Sequence, residues 1–266
     1  MRKVILILGA LLGSYSLIEP YLIEKKCYTF DSPDIPQAFD GSTIVFLTDI
    51  HHGSHFSRSR ITKLVDQTNN LKPDIIVLGG DYIEGNAKFI DPCFDELKRL
   101  KAPLGVYGVL GNHDHWRGAT QTRQAMDSAN IKSLENHAFW IIKSGQKIRL
   151  GGVGVEGDER PIIEFTTSEV TDTDFVLLIS HYPDIVKTMA NKKVDLVLAG
   201  DTHGGQVTFF GLFAPMLFPY TDQPIRTGMH KFKYTNIIVS NGIGTVYLPM
   251  RFFARPQIVI IELNRS

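Results

Sequence analysis

The chain has 266 residues, enough for one large domain or two small ones, and 43% of them are hydrophobic, which is ample for a sizeable core. Its formal net charge is zero, whereas a general nucleic-acid-binding protein usually carries a basic surplus, so no nucleic-acid partner is expected. The two cysteines, Cys27 and Cys93, lie far apart in sequence, so neither a disulfide framework nor a thiolate zinc site is indicated.

The N-terminal segment has the composition of a membrane anchor. Residues 4–18 carry no charge, but a helix needs about 20 apolar residues to span a bilayer, so a signal peptide and an interfacial helix are alternatives. The absence of a small-x-small cleavage site favours a retained anchor. We therefore expect residues 1–26 to attach a domain of residues 27–266 to a membrane. Basic residues flank both ends of the segment, so its orientation stays open.

Short apolar runs that end in metal-binding residue types are the main feature of the rest of the chain. Such runs, rich in β-branched residues, predict buried strands, and open α/β sheets place their sites at the carboxyl ends of strands. One Gly-Asn turn is ordinary, but five such endings indicate a common site. In chain order, residues 43–47 lead to Asp49 and His51, 74–78 to Asp81, 104–110 to a loop of Asn112, His113 and Asp114, 175–179 to His181, and 194–198 to Asp201 and His203.

Other elements follow from spacing and turn residues. Helical spacing or composition predicts helices at 57–71, 89–100, 120–129 and 184–190, and Ser144-Gly145 predicts a hairpin within 140–155. The acidic stretch 156–174 is interpreted as a solvated loop or exposed helix. Further strands are predicted at 207–209, 237–239 and 258–261. Strand-helix alternation followed by strands indicates a layered α/β sandwich with two sheets inside.

The motifs at the strand ends resemble, in order, those of the calcineurin-like metallophosphoesterases. They are Asp49-x-His51, Gly80-Asp81, Gly111-Asn112-His113-Asp114, His181 and Gly200-Asp201-x-His203-Gly204-Gly205. The resemblance covers the chain from about Thr43 onward and implies a four-layer α/β/β/α sandwich. Later motifs resemble a membrane-associated branch that includes a UDP-2,3-diacylglucosamine pyrophosphatase of lipid A synthesis. These are Gln206, residues 241–245 and Arg255-Pro256.

The resemblance also implies a binuclear metal site with ions about 3.5–4 Å apart. Asp81 would bridge the ions, and a water molecule between them would be the nucleophile. The implied ligands are Asp49, His51, Asp81, Asn112, His181, Asp201 and His203. His113 would act on the leaving group as general acid, with Asp114 holding its other nitrogen.

One position departs from the family pattern, which has a histidine where this chain has Asp201. Aspartate can replace it as a ligand, with a shorter reach and an added negative charge. Oxygen-rich sites favour Mn²⁺ or Mg²⁺, so we expect Mn²⁺, with Mg²⁺, Fe²⁺ and Zn²⁺ as alternatives. The other interpretation is that Asp201 lies behind the ligands and the second ion is weakly held.

The uncharged segment 209–220 is rich in aromatic residues, and Pro215 and Pro219 prevent a regular helix there. It is either an irregular part of the core or an apolar surface for lipid or acyl chains. Basic residues outnumber acidic ones between Gly205 and Gln257, which favours the second interpretation.

The sequence therefore predicts a metal-dependent hydrolase of a phosphodiester or pyrophosphate bond. The substrate is expected to be a phosphate ester, with a lipid-linked molecule such as UDP-2,3-diacylglucosamine as one candidate. The alternative from a different class is a metal-binding but catalytically weak scaffold protein at the membrane. The oligomeric state is left open.

Overall fold

Two six-stranded sheets form the centre of the protein. The computed structural model describes residues 2–155, 160–189, 193–215 and 223–266. In chain order, the strands of this part are β1 (Glu24–Ser32), β2 (Thr43–Leu47), β3 (Ile75–Leu78), β4 (Val106–Gly108), β5 (Lys132–Ser133), β6 (His137–Lys143), β7 (Gln146–Gly152), β8 (Val176–Ser180), β9 (Leu196–Ala199), β10 (Gly228–Phe232), β11 (Thr235–Val239) and β12 (Gln257–Arg265).

The first sheet has the order β1-β12-β2-β3-β4-β5, and the second has the order β10-β11-β9-β8-β7-β6. Strands β2 to β5 run parallel to one another, as do β7, β8, β9 and β11. The parallel arrangement aligns the carboxyl ends of these strands along one edge of each sheet. That edge is where open α/β sheets place their sites.

The helices of the described residues are α1 (Arg2–Ile18), α2 (Arg58–Asn69), α3 (Ile90–Leu97), α4 (Asn112–Ser128), α5 (Glu164–Thr167) and α6 (Ile185–Thr188). Helices α2, α3 and α4 pack on the outer face of the first sheet, and α6 packs on the outer face of the second. The central core lies between the two sheets.

Strand β2 shows why both faces of each sheet are apolar. Ile44 and Phe46 point into the core between the sheets, whereas Val45 and Leu47 point toward the helices. Successive side chains of a strand point to opposite faces, so a strand buried on both sides needs a continuous apolar run. The expected α/β/β/α sandwich with two inner sheets is confirmed.

Most predicted elements are present, and two are corrected. The hairpin prediction is confirmed by β6 and β7, which pair antiparallel around Ser144-Gly145. The loop predicted for Asn112 to Asp114 is wrong, because these residues form the first turn of α4, which is interrupted at Gly118 (φ 154°). The strand predicted at 207–209 is also wrong, because Val207 and Phe209 make only isolated bridges. Three predicted segments lie partly outside the described residues, at positions 156–159, 190 and 216–220.

The N-terminal helix α1 has seventeen residues. Within the described ranges, the structure contains no helix whose length and apolarity together would let it cross a bilayer. The expectation of a transmembrane helix is therefore not supported, and membrane attachment stays a prediction. Strand β1 begins at Glu24 and pairs in parallel with β12, so residues 24–26, assigned by the sequence to the anchor, lie in the first sheet.

Candidate metal centre

All the predicted ligand side chains meet where the two sheets face each other at their carboxyl ends. Strands β2, β3 and the start of α4 bring Asp49, His51, Asp81 and Asn112 from the first sheet. Strands β8 and β9 bring His181, Asp201 and His203 from the second. Among the described residues, three groups of side chains could hold a metal ion, and two of them consist of predicted ligands only. We call Asp49, His51 and His203 the first cluster, and Asp49, Asp81 and His181 the second; the third group is His51, Glu84 and His113.

Five of these residues have a left-handed backbone conformation, with φ between 48° and 66°; they are Asp49, His51, Asp81, Asp201 and His203. Non-glycine residues rarely adopt this conformation, and such strain concentrates at functional sites. Gly111 has a related role, because an added Cβ would collide with the Asp81 carboxylate. The chain thus turns sharply after each strand, and these turns aim the polar side chains at one point.

The first cluster is fully buried. The Nε2 atoms of His51 and His203 are 3.1 Å apart, and His203 Nε2 is 3.5 Å from Asp49 Oδ1. Asp49 Oδ2 accepts a hydrogen bond from Thr48 Oγ1 (2.8 Å), and the Asp201 N–H lies 3.2 Å from both oxygens of the same carboxylate. These bonds hold the Asp49 carboxylate, so it presents a fixed oxygen to the two imidazole nitrogens.

Asp81 belongs to the second cluster and also approaches His51 of the first. Its Oδ2 is 3.4 Å from His51 Nε2 and 3.4 Å from His181 Nε2, while its Oδ1 accepts the His113 N–H (2.9 Å). His181 Nε2 is also 3.0 Å from Asn112 Oδ1 and 3.6 Å from Asp201 Oδ1. One carboxylate oxygen therefore lies at the same distance from a histidine of each cluster, a position that fits a ligand shared by two ions.

The donor set fits divalent cations. It consists of carboxylate and amide oxygens with imidazole nitrogens, which Mn²⁺, Fe²⁺ and Zn²⁺ all accept. His181 is oriented by its Nδ1, which is 2.8 Å from the Gly79 carbonyl oxygen, so its Nε2 is the nitrogen left for a metal. The structure brings the predicted residues together, with Asp201 at the edge of the second cluster. Their role as metal ligands stays a prediction.

A family model described as calcineurin-like phosphoesterase matches residues 42–205, a range that contains every one of these candidate ligands. The chain belongs to this family. It is 33% identical over 267 residues to an uncharacterized metallophosphoesterase of Aquifex aeolicus, covering 97% of this chain and 98% of that one. It is 30% identical over 226 residues to the phosphodiesterase YaeI of Escherichia coli, covering 83% of this chain and 81% of that protein.

A solved structure shares the fold of this phosphoesterase. A dimetal phosphatase from Danio rerio aligns with a TM-score of 0.50 at 12% identity, covering 77% of this chain and 88% of that one. Membership of the family identifies the protein as a hydrolase that acts on phosphoric esters.

The electrostatics of the phosphoesterase's site follow from burying several charges together. Burial lowers the pKa of His51, but the carboxylates of Asp49 and Glu84 outweigh it and raise that pKa to about 10. Burial raises the pKa of Asp201 to about 7, and the nearby Asp49 and Asp81 carboxylates act in the same direction. The negative potential that holds protons on His51 also attracts a divalent cation, whose binding displaces such protons.

His203 differs from His51 in its electrostatic surroundings. Burial lowers the pKa of His203 to about 3, and the positive charges of His51 and Arg251 act in the same direction. A neutral imidazole is the form that binds metals. His203 is therefore already in its ligating form at neutral pH.

The pairing expected for His113 is corrected by the structure. Its Nδ1 lies 2.8 Å from Glu84 Oε2. Asp114 does not face that nitrogen. Its carboxylate accepts backbone N–H groups from Asp81 (2.8 Å), Tyr82 (3.0 Å) and Gly111 (2.9 Å). Asp114 therefore ties the loop after β3 to the start of α4, and Glu84 is the carboxylate beside His113.

Glu84 is the main functional residue that sequence reasoning missed. The same Oε2 atom that approaches His113 is 3.1 Å from His51 Nδ1, and the two imidazole rings stand edge to face 4.8 Å apart. One carboxylate thus links a candidate metal ligand to the candidate general acid. Its position three residues after Asp81 was the available signal, but no ligand-type spacing distinguishes it from a surface glutamate.

Arg251 is a second missed residue, and its side chain is completely buried. Its guanidinium donates to the carbonyl oxygens of Gly244, Asn241 and Ala254 and, at 3.3 Å, to that of His203. It therefore fixes the loop after β11 against His203, a candidate metal ligand. Sequence cannot reveal a buried arginine of this kind, because its partners are backbone carbonyls.

Proposed function

We propose that this phosphoesterase hydrolyses a phosphodiester or pyrophosphate bond using two divalent cations, with Mn²⁺ as the expected metal. The observation that carries the proposal is the position of Asp81 Oδ2, 3.4 Å from a histidine of each cluster. When bound, the ions would supply Lewis-acid stabilisation of the phosphoryl oxygens and a nucleophile formed from water. The relative named a phosphodiesterase supports a diester over a monoester.

Residues of the chain would hold the two ions, place a proton on the leaving group and position the catalytic side chains. Asp49, His51 and His203 would hold one ion, and Asn112, His181 and Asp201 the other, with Asp81 shared. His113 Nδ1 faces Glu84, so Nε2 is the nitrogen that can place a proton on the leaving oxygen. Glu84 stabilises the protonated imidazole and sets its orientation. The hydrogen bonds from the backbone N–H groups of Asp81 and Gly111 to the Asp114 carboxylate hold His113 in a fixed position relative to Asp81.

The finer substrate proposal is a lipid-linked pyrophosphate such as UDP-2,3-diacylglucosamine, which the motifs around Gln206 and Asn241 support. The proposed location is a membrane surface reached through the N-terminal segment. Exposed apolar side chains at the end of α1, including Leu17 and Ile18, support this location. Incubation with a panel of diesters, monoesters and the acylated sugar nucleotide, with product masses read directly, tests the substrate proposal. Hydrolysis confined to soluble monoesters would end the lipid-linked proposal.

The proposed hydrolysis of a phosphodiester is tested with bis(p-nitrophenyl) phosphate. We expect turnover with added Mn²⁺ and none with a chelator. Because Asp201 stands where the family has histidine, metal-binding without turnover would favour the scaffold alternative. Equal rates with Mn²⁺ and chelator would contradict the metal-dependent mechanism.

A further inference from the structure

An exposed apolar surface lies just after the last metal ligand. Five side chains, which we call the aromatic platform, are between 41% and 79% exposed: Phe209, Phe210, Leu212, Phe213 and Phe253. Large apolar side chains that are exposed next to one another on a protein surface mark an interaction site. The sequence continues from the platform with further uncharged apolar residues, 216–220.

The platform is built by specific contacts. The Phe210 and Phe253 rings have centroids 5.1 Å apart, and the Phe252 and Phe253 rings stand edge to face at 4.7 Å. The Phe209 N–H donates to the Phe213 carbonyl oxygen (2.7 Å), which closes a tight turn with Leu212 at its tip. These contacts therefore fix the apolar side chains of the platform in exposed positions.

The platform is continuous with the N-terminal helix. The ring of Tyr15, near the end of α1, lies 5.7 Å from that of Phe253 and 6.1 Å from that of Phe252. The buried Glu19 carboxylate accepts the backbone N–H groups of Phe253 (2.8 Å) and Ala254 (2.6 Å), which fixes the end of α1 against the platform. The helix itself leaves Leu11, Leu12, Leu17 and Ile18 exposed. Two apolar elements thus join into one surface.

The border of this surface is basic. Arg255 is exposed and hydrogen-bonds to the Tyr15 side chain, which raises the pKa of Arg255. Arg60 stacks on the Tyr21 ring, 4.5 Å from its centroid, and donates to the Pro20 carbonyl oxygen. Lys25 and Lys26, at the start of β1, are exposed as well. Apolar side chains bordered by arginine, lysine and tyrosine match the acyl chains and anionic headgroups of a bilayer surface.

We propose that the aromatic platform and α1 together rest on a bilayer that contains anionic lipids, with the platform inserted at the interface. This deepens the membrane association proposed above and adds a contact surface outside the N-terminal segment. The surface is connected to the metal centre through Arg251, whose backbone N–H donates to Ser16 O (2.9 Å) and whose side chain donates to His203 O. Docking on this face therefore brings the metal centre beside the membrane surface.

A fluorescence experiment on the full chain tests the inserted position directly. In a Cys27→Ser background, in which Cys93 is buried, Leu212→Cys is labelled with an environment-sensitive dye. Vesicles of phosphatidylcholine with phosphatidylglycerol should shift the emission of this label to the blue, and phosphatidylcholine alone should shift it less. The matched control is Ile142→Cys on edge strand β6, which is 64% exposed and should show no shift.

Sedimentation with the same vesicles gives the second measurement. The triple variant Phe209→Ser, Leu212→Ser, Phe213→Ser should partition about tenfold or more weakly than wild type. A control with the same chemistry, Ile142→Ser, Ile162→Ser, Phe165→Ser, removes exposed apolar residues elsewhere and should partition like wild type.

Each outcome decides the inference. If the protein sediments with vesicles while the label at position 212 stays in water, the N-terminal segment binds alone and the platform proposal is wrong. A blue shift that grows with protein concentration without vesicles would assign the surface to a second copy of the chain and likewise overturn it. Turnover of bis(p-nitrophenyl) phosphate with Mn²⁺ should be unchanged in both triple variants. Its absence in wild type would count against the hydrolase proposal alone.

Discussion

The metal centre and the aromatic platform both depart from the usual distribution of side chains, in which charged groups are exposed and apolar groups are buried. The metal centre buries Asp49, His51 and Asp81, whereas the platform exposes Phe209 and Leu212. Buried charges and exposed apolar groups both cost free energy unless something compensates them. At the metal centre, much of the compensation comes from within the chain, as histidines and backbone N–H groups. At the platform, the compensation has to come from outside.

This difference predicts how each region responds to mutation. Changes at the metal centre should alter catalysis, because each polar atom there has a defined partner. Changes at the platform should leave both catalysis and folding nearly intact, because its side chains contribute little to the core. The following predictions test that contrast.

The largest effect is expected for Asp81→Asn. Asp81 Oδ2 lies 3.4 Å from a histidine of each cluster. Removing the charge of this carboxylate should lower turnover by about a thousandfold or more, since binuclear stabilisation contributes several kcal/mol. Rates on bis(p-nitrophenyl) phosphate and metal content per chain measure it. The control is Asp127→Asn, an exposed residue of α4, which should behave like wild type. Wild-type rates for Asp81→Asn would refute the bridging role.

His113→Ala should reduce turnover by about 10²- to 10⁴-fold while the metal content stays the same, because a general acid acts on the leaving group. A substrate with a good leaving group, such as p-nitrophenolate, should suffer less than one with an alkoxide leaving group. Loss of an ion from this variant would show that His113 is a ligand, and our division of roles would then be wrong.

A pair of leucines compares the apolar core with the platform. Leu198→Ala removes a fully buried side chain between the sheets and should lower the free energy of unfolding by about 2–5 kcal/mol. Leu212→Ala, at the platform, should change it by less than about 0.5 kcal/mol. Chemical denaturation of both variants measures this. A large destabilisation by Leu212→Ala would mean that the platform is part of the folded core.

Glu84→Gln should lower turnover by about 10- to 100-fold, the usual cost of changing a partner that orients a metal ligand or catalytic group. The amide keeps the size of the side chain but loses the charge beside His51 and His113. Metal affinity should fall less than the rate. Asp114→Asn separates the roles: it removes an acceptor for backbone N–H groups and should mainly lower the melting temperature. If Asp114→Asn instead changed only the rate, Asp114 would act on His113 after all.

The smallest effect is expected for Asp201→His. Imidazole can replace the carboxylate as a ligand, so the fold and the second ion should be retained, but the preference should move from Mn²⁺ or Mg²⁺ toward Zn²⁺ or Co²⁺. Asp201→Ala should be worse, because it removes a ligand without replacing it. Metal analysis and metal-dependent rates of the three proteins decide. Two ions and wild-type rates in Asp201→Ala would show that Asp201 is not a ligand.

Most of the strands, the layered sandwich and the set of polar residues that lie together at the strand ends could be predicted from the sequence alone. These features are local: each short apolar run is followed directly by its ligand residues, and parallel strands bring their ends together. The secondary structure of the long segment that follows His203 was harder to predict. Its strand at 207–209 was predicted wrongly, because bridges to distant residues such as Phe252 shape it.

The carboxylate beside His113 and the apolar residues that face outward could be identified only in the folded chain. Glu84 and His113 belong to different segments, and their contact depends on how the loop after β3 meets the start of α4. Asp114 is adjacent to His113 in sequence, yet it lies in the first turn of a helix, where its carboxylate reaches the backbone N–H groups instead. The exposure of Phe209 and Leu212 likewise depends on the placement of their segment, in which Phe210 packs against Phe252 and Phe253. Contacts between distant segments leave no periodic pattern in a sequence, and for that reason only the folded chain shows them.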